Sequence, residues 1–121
     1  MELVRHARDG RQVIERYAAS GFRVSGAIYL GPVLVFPDRT EAWAAAAFTR
    51  EGLAPVLAHG GIELLLLGCG RRIAPVGAEL RSALKAGGIA VEPMDTGAAC
   101  RTYNMLAAED RLVAAALLPP V

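Results

Sequence analysis

Gly60-Gly61-Ile62-Glu63-Leu64-Leu65-Leu66-Leu67-Gly68-Cys69-Gly70 decides the fold of this chain. Four consecutive leucines cannot alternate between a core and water. A strand that is apolar on both faces suits the interior of a sheet covered by helices. The glycine pair before it and the Gly-Cys-Gly after it delimit a strand over residues 62–67.

Downstream, strand and helix patterns alternate. Pro75 suits the first turn of a helix that Gly87-Gly88 ends, with Leu80, Ala83 and Leu84 as its buried stripe. Residues 89–94 read as a strand, 96–109 as a helix and 111–118 as a nearly all-apolar final strand, which Pro119-Pro120 ends. Ala114-Ala115-Ala116 would let helices pack closely on either face. Such alternation implies right-handed βαβ crossovers and parallel pairing.

Upstream, residues 12–18, 22–26 and 28–36 read as strands joined by short connections, which makes them an antiparallel meander. Gly31-Pro32 interrupts the third; Pro32 has no N–H to donate and belongs at an edge or bulge. Residues 38–48 are alanine-rich, which favours helix by propensity; the reading adopted is an extended segment ending near Trp43. Thr49 suits an N-cap, with Glu51 in the first turn of a helix whose Leu53, Val56 and Leu57 share a face and which Gly60-Gly61 stops. His59 would interact with the C-terminal carbonyls of that helix.

The 121 residues fit one α/β domain, 1–121, with N-terminal antiparallel strands, C-terminal crossovers and a mixed sheet. Hydrophobic residues make up 54% and charged residues 21%, too apolar for a disordered chain. With net charge +1 and no long basic run, nucleic acid is not an expected partner. No apolar stretch approaches the roughly 20 residues that span a bilayer. The opening residues mix Glu2, Arg5, His6, Arg8 and Asp9 without a signal-peptide core, so the expected compartment is the cytoplasm. Cys69 and Cys100 form no CxxC pair and no histidine stands at ligand spacing, so neither a metal nor a cofactor is expected.

Parallel strands at 62–67 and 89–94 would open their exit loops on one edge of the sheet. Those loops, 68–71 and 95–104, concentrate glycine, thiol, carboxylate and guanidinium. Ligands in open α/β sheets bind outside the carboxyl ends of strands. Gly68, Gly70, Asp95, Thr96, Arg101 and Asn104 are therefore the candidate ligand-binding residues. The small Gly97-Ala98-Ala99 would admit an anion to unpaired helix N–H groups, with Arg101 adding a fork of donors. The alternative is structural: Asp95 or Thr96 caps the helix and Arg101 is solvated or paired with an acid. Cys100 in a first helical turn could be an activated thiol, but no base is placed for it and buried thiols are commonly inert. Cys69 and Cys100 are either neighbours capable of redox pairing or two separately packed thiols. No residue is assigned a catalytic role, and an enzyme is the less favoured reading.

Gly31-Pro-Val-Leu-Val-Phe-Pro37, Trp43, residues 63–70, residues 88–104 and the tail 111–119 together resemble the adipogenesis-associated Mth-domain family, domains of unknown function that include a mitochondrial respiratory complex I assembly factor. The resemblance covers almost the whole chain. It implies a three-layer α/β fold around a mixed sheet, no established activity or cofactor, and a protein partner in an accessory or assembly role related to complex I. The alternative function is a small-anion or metabolite binder, or an enzyme, at the strand-exit loops. The family pattern often places threonine where this chain has Cys69, and Arg101 is not constant in it. Asp95, Thr96 and Asn104 match the pattern.

Overall fold

The computed structural model describes residues 10–120; the charged opening segment, with His6, lies outside the described residues. The leucine run becomes β6 (Leu64–Cys69), and its neighbours follow from the downstream alternation: α2 (Ala78–Ala86), β7 (Ala90–Met94), α3 (Thr96–Ala108) and β8 (Val113–Leu118). β6 pairs in parallel with β7 on one side and β8 on the other. The upstream part supplies β1 (Ile14–Ala18), β2 (Gly21–Val24), β3 (Ala27–Leu30), β4 (Val33–Val35), β5 (Thr40–Ala42) and α1 (Ala54–His59).

Two sheets result. β1-β2-β3 is an antiparallel sheet, and β5-β4-β8-β6-β7 is a mixed one in which β4 runs antiparallel to both β5 and β8. The strand expected over 28–36 breaks at Gly31-Pro32 as read, but its two halves belong to different sheets rather than to one meander. Gly31, at φ +88, turns the chain between them, because Pro32 cannot continue a ladder. The strand expected over 22–26 stops at Val24. Ser25 (φ 46) and Gly26 (φ 85) form the two-residue hairpin turn, since left-handed values at both positions match the twist of the strands.

The alternation along β6 and β8 explains three layers. Leu65, Leu67, Ala114 and Ala116 face one way and pack with Leu53 and Val56 of the α1 region and Leu80 and Leu84 of α2. Leu66, Val113, Ala115 and Leu117 face the other way, against Ala99, Cys100, Tyr103 and Ala107 of α3 and Ile14, Phe22 and Val24 of the small sheet. Small alanines at the centre of β8 let both layers approach. The Tyr103 hydroxyl donates to the Phe36 carbonyl at 3.2 Å, so its buried polar end is satisfied.

Two helix starts differ from expectation. Thr49 does not cap α1: its hydroxyl oxygen accepts from Gly52 N–H at 2.9 Å within a preceding turn, and the Trp43 indole donates to the Gly52 carbonyl at 2.8 Å. The helix begins at Ala54, with Pro55 in its opening turn, where a missing N–H costs nothing. α2 begins at Ala78 after Gly77 rather than near Pro75.

Candidate functional site

The exits of β6 and β7 do share a rim. Gly68 stands opposite Met94 on β7 and Leu117 on β8, which puts Gly68, Gly70, Asp95 and Thr96 at one edge of the sheet.

Thr96 is the centre of that rim. Its side chain is fully buried. Its hydroxyl donates to the Leu118 carbonyl at 2.6 Å and accepts from the Gly70 N–H at 2.8 Å, while its own N–H donates to the Gly70 carbonyl at 2.8 Å. One residue therefore ties the start of α3 to the ends of β6 and β8. Gly68 is glycine for a related reason: a Cβ there would lie 2.7 Å from a Leu117 methyl and 3.2 Å from the Thr96 hydroxyl. Gly70, at φ +88, adopts the left-handed conformation that presents both its backbone groups to Thr96.

Asp95 caps α3, its Oδ1 accepting from the Ala98 N–H at 2.9 Å. This is the capping geometry weighed from the sequence. Gly97 is open on paper but filled in fact. A Cβ there would lie 2.7 Å from the Tyr17 hydroxyl, which reaches in from β1. Arg101 is exposed and donates from Nη1 to that same hydroxyl at 3.4 Å. The space left for an anion by small residues is taken by Tyr17, 80 residues away in sequence, so no local signal marks it.

Asn104 does not join the rim. It lies nine residues beyond Asp95, about 13 Å along a helix axis, and is buried. Its Oδ1 accepts from the Ile14 N–H at 2.9 Å and its Nδ2 donates to the Ile14 carbonyl at 2.8 Å. The amide thus acts as a surrogate strand for β1 where the β1–β2 register shifts between Ile14 and Arg16. Among the described residues, no buried side-chain nitrogen or oxygen lacks a partner.

The two thiols are free and sit on opposite faces of the mixed sheet, Cys69 with the α1 and α2 core and Cys100 with the α3 core. They are two separately packed thiols. Burial pushes the Cys100 thiol up to about 12, outweighing the nearby Arg101 charge that favours the thiolate. The helix N-terminus therefore does not deliver an activated nucleophile.

A second polar cluster lay outside the sequence reading. His59 stacks on Phe36 with ring centroids 4.5 Å apart and 3° between planes. Its Nδ1 faces the Gly60 carbonyl at 2.8 Å, as expected of a helix C-terminus, and its Nε2 faces Asp38 Oδ1 at 2.7 Å. The hydrogen bond from His59 holds the Asp38 carboxyl below the usual carboxylate range against the opposing desolvation, helped by a backbone hydrogen bond and by the His59 and Arg39 charges. Asp38 and His59 are 21 residues apart with no spacing motif, so sequence offered no signal for the pair. Among the described residues, no group of three or more His, Cys, Asp or Glu side chains is arranged to hold a metal, and no helix is long and apolar enough to cross a membrane.

Comparison with known proteins places this architecture. A family model described as protein of unknown function (DUF498/DUF598) matches residues 14–118. The chain is 39% identical over 112 residues to the NADH dehydrogenase [ubiquinone] 1 alpha subcomplex assembly factor 3 of Danio rerio, covering 89% of this chain and 64% of that one. It thus spans less than two thirds of that relative. A crystal structure described as an outer membrane protein of Bartonella henselae superposes with a TM-score of 0.83 at 36% identity, covering 91% of this chain and 96% of that one. A solution structure of a Mth938-like domain from Bordetella pertussis gives a TM-score of 0.81 at 29% identity, over 99% of this chain and 93% of that one. With the family model spanning every strand and helix of both sheets, and Mth938-like coordinates overlaying them, the chain belongs to the DUF498/DUF598 family of proteins of unknown function.

Proposed function

We propose that this protein is a non-enzymatic accessory factor that works through protein partners in the assembly of respiratory complex I. The observation that carries the reading is the relation to the zebrafish assembly factor across 89% of this chain. The state of the strand-exit rim supports it: the polar groups of Thr96, Gly70 and Asp95 are engaged within the fold, and Tyr17 fills the space beside Gly97. A small-anion or metabolite site built from Gly68, Gly70, Asp95, Thr96, Arg101 and Asn104 would have to break those bonds before it could accept a ligand. It would also have to reach Asn104 from a rim about 13 Å away. We place the protein in the cytoplasm, in a single domain spanning the chain, with neither metal nor cofactor.

The test is purification of the tagged full chain from cells that make the complex. The expected result is co-isolation of complex I subunits or partly assembled intermediates, with no rise in melting temperature when phosphate, carboxylate or nucleotide anions are added at millimolar concentrations. A rise of several degrees that Asp95→Ala abolishes, with no complex I subunits in the eluate, would move the assignment to the ligand-binding reading.

A further inference from the structure

The outer face of the small sheet carries an unusual combination of groups. Ile28 is 74% exposed and Leu30 78% exposed. They stand two residues apart on β3 and so share one face. The ladder extends two rows from them across the sheet: Ile28 opposite Arg23 and Arg23 opposite Arg16, then Leu30 opposite Gly21 and Gly21 opposite Ala18. These six residues line a shallow cavity of about 230 Å³. Gly21 and Ala18 keep its floor low, and the longer side chains form its walls.

Two guanidinium groups directly across neighbouring strands repel one another, and folding stability gains nothing from them. Glu15 offsets part of that charge through a 3.3 Å contact with Arg23. Among the described residues Arg16 has no ion-pair partner, so the face is net positive. β3 is also an edge strand. Exposed edges are ordinarily blunted by proline, lysine or a bulge. β7, an edge of the mixed sheet, carries Pro93; β3 carries only Ala-Ile-Tyr-Leu.

We infer that this face docks a segment of a partner protein that presents carboxylates beside apolar side chains. Ile28 and Leu30 supply the apolar contact and Arg16 and Arg23 the charge-assisted forks that carboxylates accept in pairs. Charge complementarity selects this occupant over a second copy of the chain, since stacking two such faces would set guanidinium against guanidinium. The inference rests on the accessory role proposed above and names the surface through which it acts.

The experiment places a photoreactive amino acid at position 28 of the full chain in its own cells, with position 73, also exposed, as control. The cross-linked segment is then identified by mass spectrometry. The expected result is a partner segment with Asp or Glu adjacent to apolar residues. Arg16→Glu/Arg23→Glu should lower the yield at least tenfold, and exchanging the partner's carboxylates for arginine should restore it. Arg16→Gln/Arg23→Gln should lower it less, and an unchanged melting curve shows that each variant folds. A cross-link to a second copy, a segment without carboxylates, a yield indifferent to charge reversal, or a yield no greater than at position 73 would each overturn the inference. Complex I content of the same cells separates the two claims: if it depends on the protein while position 28 captures nothing, the accessory role stands and this surface does not.

Discussion

Thr96 shows how one hydroxyl can close a rim that topology alone would leave open. Replacing it with valine keeps the volume but orphans the Gly70 N–H and the Leu118 carbonyl, at a cost of about 1–3 kcal/mol for each buried group. We expect Thr96→Val to lower the denaturant midpoint with an unchanged slope, which chemical unfolding followed by circular dichroism would measure. Burial sets the behaviour of the thiols in the same way. With its thiol pushed up to about 12, Cys100 should resist alkylation of the native protein at pH 8, while half-buried Cys69 reacts first; mass spectrometry of timed samples reports the order. Asp38 has a depressed folded-state value relative to 3.8 in the unfolded chain. Its contribution is therefore fully present above the unfolded value and lost as pH falls through the lower folded one. The carboxyl is largely exposed, so Asp38→Asn should cost only a few tenths to about 1 kcal/mol at neutral pH. Wild type and variant should converge in strongly acidic solution, as melts across the range from pH 7 to pH 2 would show.

Among the elements, α3 holds the molecule together by touching both sheets. Its apolar face packs on β6 and β8, and Asn104 captures the backbone of β1. Asn104→Leu should strip β1 of that partner, with a loss of about 3 kcal/mol from two unpaired backbone groups; hydrogen exchange at the Ile14 amide should rise before exchange in β6 does. The elements after residue 60 were legible in sequence because each has its own local signal. The leucine run could only be an interior strand, and glycine pairs closed the elements on either side. Upstream, the signals were not local. Gly31-Pro32 marks the break in residues 28–36, but which sheet receives each half is set by distant pairing partners and has no local signal. Thr49 resembles a helix cap because a Ser or Thr turn and an N-cap use the same hydroxyl-to-amide bond. Of the candidate site, the shared rim was legible because parallel pairing dictates it. The packing of Tyr17 against Gly97 and of Asn104 against Ile14 was not, because both contacts cross more than 75 residues of chain.

For the molecule as a whole, membership of a family of unknown function does not by itself assign work, and the internal engagement of the strand-exit groups directs attention to its surface. Two features face outward at once: the arginine and aliphatic face of the small sheet, and the capped, closed end of the mixed sheet. The accessory role proposed above would act through the first, while the polar groups at the second are engaged within the fold. The most direct measurement is NADH:quinone oxidoreductase activity in membranes from cells that make complex I but lack this gene. An assembly role predicts a several-fold loss, restored by the wild-type gene and equally by a gene carrying Asp95→Ala. Undiminished activity without the gene, or a rescue that fails when only the carboxylate of residue 95 is removed and the variant still folds, would contradict it.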